Sequence, residues 1–204
     1  MRMATTLCLC WLTASPIFAQ ENAENDPLVG DKQLSEWKRL LSDKDPAVRS
    51  HAASDFSRIG TSNEDLPRLV EELWNQNEHV RNRAAYRLAK IGPDAVPVLC
   101  IAIQDRLGIV RSAASLALER IGEPAELPLI ETLGETRSLA RASVARTLRN
   151  IGPSAKAIPA LIQALNEDEY SYARSAAAQA LGRVGPEAKP AVPDLIEALQ
   201  DDKE

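Results

Sequence analysis

Five times in 204 residues the chain returns to one phrase: a small apolar residue, an arginine, paired small residues, a leucine or phenylalanine, then isoleucine or valine and a glycine. Aligned on the arginine, the phrases place Arg49, Arg81, Arg111, Arg141 and Arg174 at intervals of 32, 30, 30 and 33 residues. The closing Gly60, Gly92, Gly122, Gly152 and Gly185 keep the same intervals. Two markers drifting together mean one structural unit copied along the chain, and a period of this length is that of a stacked array of units.

Each position in the phrase has a physical task. Counting from the arginine, the residue before it is Val48, Val80, Val110, Ala140 or Ala173, and three after it stands Ala52, Ala84, Ala114, Val144 or Ala177. Four further on come Phe56, Leu88, Leu118, Leu148 and Leu181, then Ile59, Ile91, Ile121, Ile151 and Val184. Steps of four, four and three draw one apolar stripe down a helix. The glycine after the stripe is expected as a left-handed cap, and Pro93, Pro124, Pro153 and Pro186 close behind it bar the helix from continuing.

A second helix follows each stop, on the ladders Leu69/Val70/Leu73, Leu99/Cys100/Ile103, Leu129/Ile130/Leu133, Leu161/Ile162/Leu165 and Leu195/Ile196/Leu199. Pro67, Pro97, Pro159 and Pro193 fall in the first turn, where no helical hydrogen bond is lost. The stretch QLSEWKRLLS supplies one further helix ahead of the first pair, which brings the expected total to eleven. The fold class is therefore all-α, an α-solenoid of about five helix pairs preceded by one extra helix.

These phrases resemble the short HEAT-type repeat, in the variant typed by the phycobilisome-lyase family with its D-x-x-x-x-V-R-x-x-A-A-x-x-L-x-x-I-G pattern. The likeness runs from Gln33 to about Gln200. It implies a generic binding scaffold whose second helices line the concave side, and a ladder of aspartates and arginines between units. Residues six before each arginine fit that ladder: Asp43, Asn75, Asp105, Glu135 and Asp168. A carboxylate there can cap the following helix and meet an arginine, its own or the next unit's. Arg58, Lys90, Arg120 and Arg183, one place before the isoleucine or valine, complement the negative end of each helix dipole, with Asn150 the exception.

Residues that could carry chemistry are few. Relatives of this repeat that act as deoxyhypusine hydroxylases hold two irons with His–Glu pairs, whereas here His51 is followed by Ala52 and His79 by Val80. The donor set that iron requires is missing, so neither metal nor cofactor is expected. Bilin-lyase activity, the family's namesake, has no pigment-handling spacing to rest on. Cys100 stands on an apolar ladder, where packing outranks a reactive thiol. The expected function is a non-catalytic protein-interaction scaffold. The alternative is a lyase-like or hydroxylase-like repeat enzyme, or an accessory domain of one, with a site converging from several repeats.

Charge and the N-terminus narrow the partner and the compartment. With 24 basic against 29 acidic residues, the chain is ill suited to holding nucleic-acid phosphates. Residues 1–20, MRMATTLCLCWLTASPIFAQ, carry Arg2, an apolar centre from Leu7 to Leu12 and small Ala19, the pattern of a secretory signal cleaved near Ala19. The stretch falls short of the ~20 apolar residues a spanning helix needs. Leu9, in place of a small residue, argues against a lipid on Cys10. The domain reading is a signal peptide at 1–19, a flexible lead-in at 20–31 and the solenoid at 32–204. The protein is read as exported, periplasmic or extracellular, with no membrane span after cleavage.

Partner contact is expected on the exposed row of second helices, two and five residues before each ladder's end: Arg68 and Glu71, Val98 and Ile101, Glu131, Gln163 and Glu197. Most of that row is acidic or neutral, which favours a protein partner with basic segments. Val98 and Ile101 are apolar where other units are mostly polar, and Trp74 lies one place past the neighbouring ladder. They form either a contact site or a local pack of Trp74 on Ile101.

Overall fold

The computed structural model describes residues 28–29, 32–41, 43–58, 63–135 and 138–201. The signal segment 1–19, most of the lead-in, and Ile59 with Gly60 lie outside the described residues. Eleven α-helices stand among those described: α1 (Leu34–Leu41), α2 (Pro46–Ser57), α3 (Leu66–Glu72), α4 (Glu78–Ile91), α5 (Val96–Ala102), α6 (Gly108–Ile121), α7 (Glu126–Glu135), α8 (Ser138–Ile151), α9 (Ile158–Glu167), α10 (Ser171–Val184) and α11 (Val192–Asp201). The one sheet described is a two-stranded antiparallel pairing of β1 (Leu28–Val29) with β2 (Lys32–Gln33), directly before α1. The chain is an all-α solenoid of five helix pairs with one leading helix. No helix among the described residues is long and apolar enough to cross a membrane.

Packing follows the stripe residue by residue. Ala52, Ala84, Ala114, Val144 and Ala177 are buried, as are Phe56, Leu88, Leu118, Leu148 and Leu181. The small residue at mid-stripe brings neighbouring helices close, and the larger one fills the gap one turn on. From α4 onward the first helices stack in order, α4 on α6, α6 on α8 and α8 on α10. The second helices stack alongside them, α5 on α7, α7 on α9 and α9 on α11.

The first pair departs from that order. Its leading helix α2 packs on α5, so α2 continues the row of second helices. A small aromatic cluster sits at this contact. Trp37 on α1 meets Phe56 on α2 edge to face at 5.5 Å, and Ile101 on α5 packs against the pair.

The repeated glycines also differ from the expected left-handed cap. Gly92, Gly122, Gly152 and Gly185 all have positive φ, between 77° and 89°. At Gly92, Gly122 and Gly185, however, ψ is −137°, −136° and −141°. That region is nearly closed to any residue with a Cβ, even though a Cβ added at Gly122 would meet nothing within 4 Å. Glycine is therefore required by the backbone and not by space. The turn it makes leads into a short 3-10 segment, such as Gly92–Ala95, that aims the second helix back along the first.

Candidate functional site

The loop that opens each first helix is built by the residues six before the arginine. Asp43, Asn75, Asp105 and Asp168 each accept, through a side-chain oxygen, the N–H two residues on. The arginine of the same unit closes the loop from the other side. Arg49, Arg81, Arg111 and Arg174 each donate from Nη1 to the carbonyls six and five residues earlier. One guanidinium thereby satisfies two backbone acceptors that a tight loop would leave open.

On Arg49 and Arg141 the remaining donors tie units together, in a direction opposite to the expected one. The Arg141 side chain bonds Asp168, so a carboxylate meets the arginine of the preceding unit. Its own arginine, Arg174, donates to the loop carbonyls. In the first unit the tie also skips a place. Arg49 reaches past Asn75, which carries no charge, and bonds Asp105 from Nε and Nη2 at 2.6 and 2.9 Å. The side chains of Arg49 and Asp105 are 3% and 2% exposed, and Asp105 also accepts the Trp74 indole N–H at 2.9 Å.

These contacts decide several expected partner-contact residues. Val98 is 2% exposed and belongs to the core, so it is not on the surface row. At the equivalent places Arg68 is exposed, whereas Pro128, Ala160 and Asp194 are half-buried. Trp74 and Ile101 pack against different buried clusters. Trp74 is half-buried against the main core with its N–H held by Asp105, and Ile101 is half-buried against Trp37 and Phe56. Both are structural contacts in the free chain.

The polar part of the row lies at or near the surface. Arg68 and Glu71 are exposed on α3 and line, with Arg58, Asn63 and Glu64, an open cleft of about 430 Å³. Arg68 also pairs with Glu72 and Asp65. Glu131 on α7 is half-buried, while Gln163 on α9 and Glu197 on α11 are exposed. Gln163 donates to Glu167 one turn on, and Asn166 donates to Asp194, linking α9 to α11 across the same face.

The opposite face, on the first helices, is sealed by side-chain ties. Lys90 and Arg120 stand over the Tyr86 ring at 4.8 and 5.8 Å. Asn150 donates to Glu119 at 2.8 Å, and Arg149 donates to Gln179. Arg120 thus reaches the neighbouring unit, while Lys90 stands over a ring of its own helix α4.

Groups with chemical potential are spent elsewhere. Cys100 is fully buried. His51 Nδ1 lies 3.0 Å from the Ala47 carbonyl, and His79 is exposed. Among the described residues no group of three or more His, Cys, Asp or Glu side chains is arranged to hold a metal ion.

Reasoning from the repeat phrase missed a second exposed set. Leu107, Ile109, Tyr170 and Tyr172 are 36%, 44%, 52% and 62% exposed, at the openings of α6 and α10. The signal was present in the sequence, since the same positions in the first two units are Asp45, Ala47, Asn77 and His79.

Comparison with known proteins agrees with this geometry. The family described as HEAT repeats matches residues 66–149 and again 128–204. The chain is also similar to the "Uncharacterized phycocyanin operon protein Z" of Pseudanabaena tenuis, 31% identical over 157 residues, covering 71% of this chain and 76% of that protein.

Proposed function

The chain belongs to the HEAT-repeat family, and from that premise we propose that it is a non-catalytic protein-interaction scaffold, exported, that binds a partner with basic segments along its second helices. The observation that carries this reading is the division of labour among polar side chains. Arginines and aspartates of the repeat phrase are consumed in loops and unit-to-unit ties, and the first-helix face is sealed by its own contacts. On the second helices, Glu131 of α7 is half-buried and Glu167 of α9 and Glu197 of α11 are exposed, and neither α9 nor α11 carries a base. A rigid face of one charge steers an oppositely charged partner and costs little to pre-organise.

The stacked row α5–α7–α9–α11 at ~9 Å per helix is about 30 Å long, the reach of a ten-residue extended segment. Export is supported by the pattern of residues 1–20 alone. The test is photo-crosslinking from positions 131 and 197 in an envelope extract, with and without Glu131→Lys and Glu197→Lys together. A crosslinked protein lost on charge reversal supports the scaffold. Stoichiometric iron or a bound chromophore in the purified protein overturns it.

A further inference from the structure

We propose that the loop edge carrying Leu107, Ile109, Tyr170 and Tyr172 is a second contact surface, which grips apolar side chains of the same basic partner segment. The inference rests on the scaffold reading and deepens it. It begins with what helix openings need. In the first two units the capping position is filled as stability asks: Asp45 accepts the N–H of Ala47 at 2.8 Å and Asn77 that of His79 at 2.9 Å. In the third and fifth units that position holds Leu107 and Tyr170, neither of which caps anything. Two residues on, Ile109 and Tyr172 are exposed as well. A cap has been given up twice for a large apolar side chain that stays partly in water, an exchange that forgoes the cap's hydrogen bond and leaves apolar surface exposed.

Charge selects the occupant. Glu167 and Glu169 are exposed beside the two tyrosines, and the third acid of that loop, Asp168, is already bound by Arg141. Tyrosine faces flanked by carboxylates attract lysine and arginine, and this chain already holds Lys90 and Arg120 over Tyr86 in that way. The exposed base near Leu107 is Arg106, so the basic residues of the segment belong at the tyrosine end. The two pairs are two units apart, roughly 20 Å, which six or seven extended residues span. The occupant is an extended protein segment with apolar side chains and lysine or arginine at one end.

The test uses three fluorescent decapeptides on the full chain: alternating Lys–Leu, Lys–Ser and Glu–Leu. The Lys–Leu peptide is expected to bind at least tenfold more tightly than the other two. Leu107→Asp and Tyr170→Asp restore the missing caps, so each should raise Tm by about 2–4 °C while weakening Lys–Leu binding at least fivefold, although each adds a negative charge. Equal binding of Lys–Ser, tighter binding by the Asp variants, or a fall in their Tm each overturns the proposal. Glu131 and Glu197 are unchanged in these variants, so loss of this edge leaves the crosslinking test of the scaffold intact.

Discussion

Arg49 and Asp105, 56 residues apart, form a two-point ion pair with both side chains almost wholly out of water. It joins the first helix pair to the loop before α6, skipping the intervening unit, whose equivalent residue is the uncharged Asn75. Breaking one partner strands the other, and a buried, unpaired guanidinium is costly. Asp105→Ala should therefore destabilise the fold by about 3–5 kcal/mol. Asn75→Ala removes one exposed loop bond and should cost about 1 kcal/mol. Urea melts of the two variants check the contrast.

Gly122→Ala meets no steric obstacle, yet it forces a Cβ into a backbone region reserved for glycine. A loss of about 1–3 kcal/mol is expected. Gly134→Ala is the control. Gly134 lies inside α7, where an added Cβ also meets nothing, so that change should be neutral or stabilising.

Leu118 is fully buried in the central unit, and Leu118→Ala should cost about 2–5 kcal/mol through the cavity it leaves. Arg120→Ala, two residues away, loses an exposed contact with Tyr86 and should cost less than about 1 kcal/mol. Similar losses for the two in thermal melts would contradict the assignment of the stripe.

Trp74→Ala and Ile101→Glu should each lower Tm, because both side chains pack inside the free chain. Partner capture by the surviving folded protein should be unchanged. Full stability together with lost capture would mean that these residues face a partner after all.

The mature protein should begin at or near Gln20. Intact mass of the protein recovered from its native host decides this, and retention of Met1 on a soluble cytoplasmic species would exclude export.

Much of this was readable before any coordinate. Stripe and ladder positions such as Leu88, Leu118 and Leu161 follow from helical period and the breaks at glycine and proline, which are local properties of the chain. What sequence did not yield depends on contacts between units. A repeat phrase treats every unit alike, so it puts Val98 on the surface row, whereas in the structure α5 packs on α2 and Val98 belongs to the core. Two departures hinted at this, an asparagine at 75 and apolar residues at 98 and 101, but neither says which helix arrives to use them. The glycine ψ angles and the direction of the Arg141–Asp168 tie were equally beyond a one-dimensional reading. Each depends on where the next unit sits.

The skipped rung bears on how the chain acquires its shape. A solenoid with contacts only between neighbours can begin to fold anywhere and grow outward. The Arg49–Asp105 pair departs from that pattern at one end, since α2 is tied to α5 and the loop after it as well as to its neighbours α1 and α3. Closing so long a segment costs chain entropy that nearest-neighbour stacking avoids, and non-local closure slows folding. Joining the first helix pair to α5 and the loop after it is thus the long-range step of this fold.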